Sequence, residues 1–141
     1  MKKIIYVIML ALLTIAWCKK EEPFLTLSQK LCAEWRGSEL SIDAAIYMKF
    51  ASDGTFELYQ KMSSEEFELR RGTWTLTGDI LSGKYNDQEA WSTSYKISVE
   101  NDRLTMVSQD EGSETNIYVR SEIPGYIKEN SSVVVRSVSL P

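Results

Sequence analysis

The chain has 141 residues, with 16 Lys and Arg against 20 Asp and Glu, a formal net charge of −4 and no histidine. The lack of histidine excludes His-based catalytic dyads and triads and imidazole metal sites, and the acidic balance argues against nucleic-acid binding. With 43% hydrophobic and 26% charged residues, the composition is that of one ordinary globular domain.

The N-terminus combines a short basic start, Met1 to Lys3, with an apolar run from Ile4 to Trp17. A helix of these 14 residues would be about 21 Å long, too short for a hydrocarbon core of about 30 Å. The run ends abruptly at a charged stretch, which does not suit a buried core helix. The pattern therefore predicts a secretory signal peptide over residues 1–17.

Residues 14–18, with the sequence Thr-Ile-Ala-Trp-Cys, resemble a bacterial lipobox. The resemblance implies that Cys18 becomes the first residue of the mature protein and carries the lipid. Two or three acyl chains anchor a protein stably, at about 0.8 kcal/mol per buried methylene, whereas one chain binds only marginally. We therefore expect a bacterial outer-membrane lipoprotein that meets the membrane through its lipid anchor, with the lipidated Cys and a tether over residues 18–27.

The tether begins with two lysines and two glutamates at residues 19–22. This stretch resembles the surface-export signal of Bacteroidota lipoproteins, which implies exposure at the cell surface. The alternative is a solvated charged tether that carries no address. With Cys18 acylated, Cys32 is the one remaining thiol, so we expect no intramolecular disulfide and a small buried hydrophobic side chain at Cys32.

A short helix and then a series of strands are predicted beyond the tether. Ser28 is a candidate N-cap for a helix that runs to Glu34. After it, apolar residues recur with a period of two between turn residues such as Asp53-Gly54, Gly78-Asp79 and Asn101-Asp102. The pattern predicts eight strands, over residues 35–42, 45–51, 55–62, 66–77, 80–85, 91–100, 103–109 and 115–122.

The fourth predicted strand changes phase along its length. Phe67 and Leu69 occupy odd positions, whereas Trp74 and Leu76 occupy even ones. We expect a β-bulge near Arg71 and Gly72 to bring both pairs to one face.

Eight strands joined by short links predict an all-β fold, an eight-stranded antiparallel meander that closes into a barrel and carries a short N-terminal helix. An open or sandwiched sheet is the alternative, but closure removes exposed sheet edges. The barrel domain is expected over residues 28–126. Residues 127–141 form either a tail or an extra strand, with the three valines at 133–135 as the candidate strand.

Several motifs between Trp35 and Ile123 resemble the lipocalin-like domains of Bacteroidota lipoproteins. They are Trp-Arg-Gly at 35–37, the run from Phe50 to Phe56, Gly-Thr-Trp-Thr-Leu at 72–76, Gly-Lys-Tyr at 83–85 before Trp91, Tyr118, and Ile-Pro at 123–124. The resemblance implies a lipocalin-like barrel.

Inward-facing aromatic residues are the candidate ligand contacts. They are Phe50, Phe56, Trp74, Tyr85, Trp91 and Tyr95. Such rings either fill the barrel as a core or line an apolar cavity with a few orienting polar groups. If a small, partly apolar ligand binds, we expect its main contacts at Trp74, Trp91 and Tyr95.

Three tyrosines fall in the opposite phase from their apolar neighbours. Tyr47, Tyr59 and Tyr118 are therefore expected on the outer wall, where they pair across strands or bind a protein partner. In the last strand, Ile117 and Val119 carry the apolar phase. The alternative function is thus an accessory protein with a filled barrel that docks another envelope protein through this wall.

No residue set indicates catalysis or metal binding. Asp110, Glu111 and Glu114 surround Gly112 in a pattern that fits a solvated turn better than a calcium loop. No pair of carboxylates and no Ser–Lys dyad is distinguished by its spacing, which leaves a hydrolase as the least favoured class. We predict a non-enzymatic binding protein without cofactor, metal or nucleic-acid partner.

Overall fold

The computed structural model describes residues 24–63 and 66–134, so the predicted signal peptide, Cys18 and the charged start of the tether lie outside the described residues. Its elements are α1 (Leu27–Leu31), β1 (Glu34–Glu39), β2 (Ala45–Phe50), β3 (Thr55–Lys61), β4 (Glu68–Thr77), β5 (Ile80–Tyr85), β6 (Tyr95–Glu100), β7 (Arg103–Ser108), β8 (Thr115–Arg120), α2 (Gly125–Asn130) and β9 (Ser132–Val133). Within that part of the chain, none of the helices has the length and apolar character needed to cross a membrane.

The eight long strands form a closed antiparallel barrel. Each strand pairs with the next along the chain, and β1 also pairs with β8, from Trp35 opposite Arg120 to Glu39 opposite Ile117. This confirms the predicted eight-stranded meander barrel. The loops that follow β1, β3, β5 and β7 lie at one end, which we call the mouth, and the turns after β2, β4 and β6 lie at the other, which we call the packed end.

The turns of the packed end form where the local sequence predicts them. Gly54 and Gly78 have φ of 86° and 63°, and Asn101 and Asp102 have φ of 49° and 61°. Glycine, asparagine and aspartate tolerate this left-handed region best, so these dipeptides direct the chain into tight hairpins.

Helix α1 closes the packed end. Thr26 is its N-cap, in place of the predicted Ser28, because Thr26 and Gln29 form a reciprocal capping box. The helix ends at Leu31, earlier than predicted, and the chain enters β1. Trp35 is 0% exposed, and its indole N–H donates to the Leu31 carbonyl oxygen at 2.9 Å. This bond joins the helix to the first strand beneath the barrel.

The predicted bulge in β4 is wrong. The strand pairs with β3 without a register shift, with Phe56 opposite Gly72 and Tyr59 opposite Leu69. Gly72 faces inward, where a Cβ would lie 1.9 Å from the Lys84 carbonyl oxygen and 2.8 Å from the Phe56 ring. The strand instead has two apolar faces, since Leu69 packs outside the barrel. A register shift does occur elsewhere, between Gly37 and Glu39 where β1 meets β8.

Helix α2 covers the outer apolar face of β3 and β4. Ile123 and Ile127 pack against Tyr59 and Leu69, and all four are buried. Tyr59 is 3% exposed, so it lies outside the barrel as predicted but beneath the helix rather than on a free wall. Tyr47 is half-buried against Phe67, with ring centroids 6.0 Å apart.

Strand β8 has the opposite phase from the predicted one. Tyr118 is 5% exposed, lies opposite Leu104 and belongs to the core inside the barrel. Ile117 and Val119 are on the other face and only partly buried. The sequence pattern could not fix the phase because three consecutive residues, Ile117 to Val119, are all apolar or aromatic.

The C-terminal residues complete the sheet. Because β5 ends at Tyr85 opposite Gly72, the first residues of β4 have no partner on that side from β5. Strand β9 pairs there in parallel, and Val134 N–H donates to the Leu69 carbonyl oxygen at 2.9 Å. Of the two predicted alternatives, the described residues thus form an extra strand, although α2 spans residue 127, where the tail was expected to begin.

Replacing Ile127 by Ala tests the cover over β4. Ile127 is 1% exposed, so we expect Ile127→Ala to lower the free energy of unfolding by about 2–5 kcal/mol in urea titrations of the full-length chain. Its neighbour Tyr126 is 64% exposed, and Tyr126→Ala is expected to stay within about 0.5 kcal/mol. Equal effects of the two substitutions would show that α2 does not cover the barrel wall.

An ion pair ties α2 back to β1. Lys128 Nζ lies 2.7 Å from Glu34 Oε1, which also accepts the Ile123 N–H at 3.3 Å. Burial acts to raise the pKa of Glu34, but the hydrogen bonds from Lys128 and Ile123 outweigh it, and the pKa falls below its ordinary value. A lowered carboxylate pKa stabilises the fold above the unfolded-state pKa, and that contribution is lost as the pH drops through the folded-state pKa.

Urea unfolding of Glu34→Gln at several pH values tests this pair. At pH 7 we expect the substitution to lower the free energy of unfolding by roughly 1 kcal/mol or less, because Lys128 is partly exposed and its charge is screened by solvent. The difference between the free energies of unfolding of wild type and variant should decrease as the pH falls from about 5 to 3, where the wild-type carboxylate becomes protonated. Glu100→Gln, at an exposed position on β6, is the control, and its free energy of unfolding should follow that of the wild type across this pH range.

Candidate functional site

A cavity of about 260 Å³ occupies the mouth end of the barrel. Its lower wall consists of inward side chains from β2, β3 and β7, including Met48, Leu58 and Met106. Its rim comes from the loops, with Ser41 and Ile42 after β1 and Ser92 after β5. Ligand pockets commonly measure about 300–1,000 Å³, so this volume lies just below that range and suits only a small molecule.

A chain of aromatic rings forms one side of the cavity. Phe56 contacts Tyr85 and Trp91 edge-on, with centroids 5.9 and 5.2 Å apart, and Trp91 contacts Tyr95 at 6.1 Å. Each pair is close to the T-shaped geometry that aromatic rings favour. Because each ring is fixed by the next, this wall is preorganised.

Gly83 is the reason that Trp91 can lie over the barrel wall. A Cβ at Gly83 would come 2.5 Å from the Trp91 ring, closer than any real contact. The backbone N–H of Trp91 also donates to the Gly83 carbonyl oxygen at 2.9 Å. Trp91 therefore belongs to the loop before β6 rather than to the strand, which begins at Tyr95 instead of the predicted residue 91.

The structure brings five of the six predicted contact residues to this cavity. Phe50, Phe56, Tyr85, Trp91 and Tyr95 all line it. Whether they contact a ligand stays a prediction.

Trp74 is the exception among the predicted contacts. Its indole N–H donates to the carbonyl oxygens of Ala51 and Thr55 at 3.2 and 3.0 Å, and its ring packs edge-on against Phe50. These bonds hold Trp74 at the packed end, beside the turn after β2. We therefore assign it to the core and not to the cavity wall.

Three tyrosine hydroxyls are open to the cavity. Tyr85, Tyr95 and Tyr118 line it, and their hydroxyls make no hydrogen bond within residues 24–63 and 66–134. No fully buried side-chain N or O atom in those ranges lacks a partner. The hydroxyls are therefore accessible, and for Tyr118, which is 5% exposed and lines the cavity, the accessible space is the cavity.

Burial keeps these tyrosines protonated. It raises the pKa of Tyr118 well above its ordinary value, with a smaller contribution from Tyr95. Burial also raises the pKa of Tyr85, which Arg70 partly opposes, and that of Tyr95, where Tyr85 and the acidic residues Asp110 and Glu114 add to the effect. All three are neutral O–H groups at physiological pH, able to donate and to accept hydrogen bonds.

Polar side chains from two loops and from β8 meet at the rim of the cavity. Ser41 Oγ donates to Glu114 Oε2 at 3.1 Å, and the Ser41 N–H donates to Asn116 Oδ1 at 2.7 Å. All three residues line the cavity, together with Gln60 from β3. This rim and Tyr118 were absent from the predicted contacts, and only the register of β8 against β1 reveals them.

The arrangement suits non-covalent binding. Across the described residues, no group of three or more His, Cys, Asp or Glu is placed to hold a metal ion. Cys32 is a free thiol that packs partly buried against the core. Burial and the nearby Asp53 charge raise its pKa, which disfavours the reactive thiolate.

The sequence comparison agrees with this architecture. A family model described as a lipocalin-like domain matches residues 31–106, from the end of α1 into β7. No curated protein sequence matches the chain. The family match spans more than half of the 141 residues. Because that match falls on a closed eight-stranded antiparallel barrel, the chain belongs to the lipocalin-like domain family.

Proposed function

We propose that the barrel binds a small, partly apolar molecule in the cavity at its mouth. The observation that carries this proposal is the combination of about 260 Å³ of space with three tyrosine hydroxyls that find no partner within the described protein. Protein interiors are close-packed and contain few voids larger than a water molecule. A space of this size is therefore unusual for a filled core.

The two ends of the barrel support the same proposal by contrast. At the packed end, Leu31 and Trp35 are fully buried and fill the interior. At the mouth, side chains of similar size line a cavity instead. The interior is thus filled at one end and open at the other, and an open, mostly apolar end is what a binding protein requires.

The accessory-protein alternative loses the surface on which it was based. Tyr59 lies beneath α2, Tyr47 packs against Phe67, and Tyr118 faces the cavity. None of the three forms a free outer wall for a partner. We therefore favour the ligand-binding function, and we propose that it is not enzymatic.

We further propose that the protein is a lipoprotein of the bacterial outer membrane, anchored through Cys18 and exposed at the cell surface. The support is the sequence alone: the apolar run over residues 4–17, the lipobox-like residues 14–18 and the charged residues 19–22. An anchor of this kind would hold the barrel close to a membrane while its cavity stays accessible to small molecules.

Native mass spectra of the protein purified from its own cells test the binding function. We expect an additional mass in the native spectrum that is absent after denaturation. Trp91→Ala removes a wall of the cavity and should weaken the affinity by about tenfold, on the basis of roughly 1.4 kcal/mol for a buried aromatic contact, so the additional mass should fall in abundance.

The control is Trp74→Phe, which changes an aromatic residue of the packed end. It should keep the additional mass, because Trp74 does not line the cavity. Bare protein in repeated preparations of the wild type would contradict the proposal. Loss of the mass in Trp74→Phe but not in Trp91→Ala would place the ligand elsewhere.

Metabolic labelling with an alkyne fatty acid tests the anchor, with the two cysteines as a matched pair. The wild type should be labelled and sediment with membranes, whereas Cys18→Ser should lose the label and shift to the soluble fraction. Cys32→Ser should remain labelled, since this thiol packs within the barrel domain. Full labelling of Cys18→Ser would rule out the proposed lipidation site.

A further inference from the structure

The four loops at the mouth carry one sign of charge. Their described residues are 40–44, 62–63, 66–67, 86–94 and 109–114, and none of these is Lys or Arg. Their described acidic residues are Asp43, Glu66, Asp87, Glu89, Asp110, Glu111 and Glu114. Lys61, at the end of β3, brings a positive charge 5.7 Å from the Phe67 ring centroid, but the acidic residues outnumber it. A ligand that approaches the cavity therefore meets a mainly negative potential, which repels anions and attracts cations.

The side chains that line the cavity also carry a negative charge. Glu114 is the one ionised side chain among the cavity-lining residues of the described chain. Ser41 donates to its Oε2 atom at 3.1 Å, which orients the carboxylate at the rim. Arg70 is close to this region, but it does not line the cavity. Its guanidinium lies 5.7 Å from the Tyr85 ring centroid and 3.9 Å from the Glu68 carboxylate.

An anionic ligand would enter without a partner for its charge. Burying an unpaired carboxylate is costly, and here it would also lie near Glu114 and the acidic loops. Fatty acids and similar anionic amphiphiles are therefore poor candidates for this cavity, even though its wall is apolar.

A protonated amine would find partners of three kinds. Glu114 offers an opposite charge at the rim, and the rings of Trp91 and Tyr95, which line the cavity, offer cation–π contact. The Tyr118 hydroxyl, on a side chain 5% exposed and without a partner in the described residues, can accept one ammonium N–H. Acidic loops alone would not define a site, but the unpartnered hydroxyl of Tyr118, a buried residue that lines the cavity, points to a polar ligand group.

We propose that the cavity selects a small organic cation, a protonated amine on an apolar body, over an anion of the same shape. This inference rests on the proposed binding function and adds the charge class of the ligand. The ammonium group pairs with Glu114 at the rim, and the apolar body lies against the aromatic wall.

Three probes of nearly equal shape separate the effect of ligand charge on affinity from the effect of ligand size. They are 2-phenylethylamine, 2-phenylethanol and phenylacetate. Each would be titrated into the full-length chain in zwitterionic nanodiscs, with Trp fluorescence as the readout and empty nanodiscs as the blank. We expect the amine to bind at least about tenfold more tightly than phenylacetate, with the alcohol between them. High salt should reduce the difference in affinity between the amine and phenylacetate, because the loop charges are exposed and screened.

Glu114→Gln and Glu111→Gln provide a matched pair of variants from one loop. Glu114→Gln should weaken amine binding by about fivefold or more and leave the alcohol within about twofold. Glu111 does not line the cavity, so Glu111→Gln should change neither affinity by more than about twofold. Tyr118→Phe should weaken the amine and the alcohol together, because both lose a hydrogen bond.

Each other result overturns the inference in a distinguishable way. Phenylacetate binding as tightly as the amine, or Glu114→Gln weakening amine and alcohol alike, rejects charge selection while the alcohol still reports a binding cavity. Binding of none of the three probes at millimolar concentration also rejects it. If native spectra are then bare as well, the proposed binding function fails with it.

Discussion

The hydrogen bond from the Trp35 indole to the Leu31 carbonyl holds α1 beneath the barrel and so determines which end of the interior is filled. A buried indole needs a partner for its single N–H, and α1 supplies one only if it lies beneath the barrel. Arg120 adds to the same contact, since its guanidinium lies 5.1 Å from the Trp35 ring centroid and donates to the Lys30 carbonyl oxygen. With the helix held there, the packed end is filled, and the remaining inward aromatic residues define a cavity at the mouth.

This division separates stability from binding. The packed end holds most of the large fully buried side chains, and α2 adds a second apolar cluster outside the barrel. The domain can therefore stay folded although the mouth end of the barrel contains an open cavity. Its aromatic wall is preorganised by ring-to-ring contacts, so a ligand would spend little of its binding free energy on ordering side chains.

What the sequence could predict depends on how local the cause is. Turns at Gly54, Gly78 and Asn101 follow from backbone preferences within two residues, and the strands between them were placed to within a few residues. The second apolar face of β4 could not be predicted, because its cover comes from Ile127, far along the chain. Likewise, the inward phase of Tyr118 depends on pairing with β1, and the rim at Glu114 depends on the same closure.

Closure between β1 and β8 also has a kinetic consequence. Trp35 pairs with Arg120, and Glu34 bonds to Lys128, so the edge of β1 that does not face β2 finds its partner only near the end of the chain. Folding rates fall as contacting residues become more distant in sequence, since the loop-closure entropy must be overcome first. The last step of folding must therefore wait for β8 and α2, and until then both β1 and β8 present unpaired edges to their surroundings.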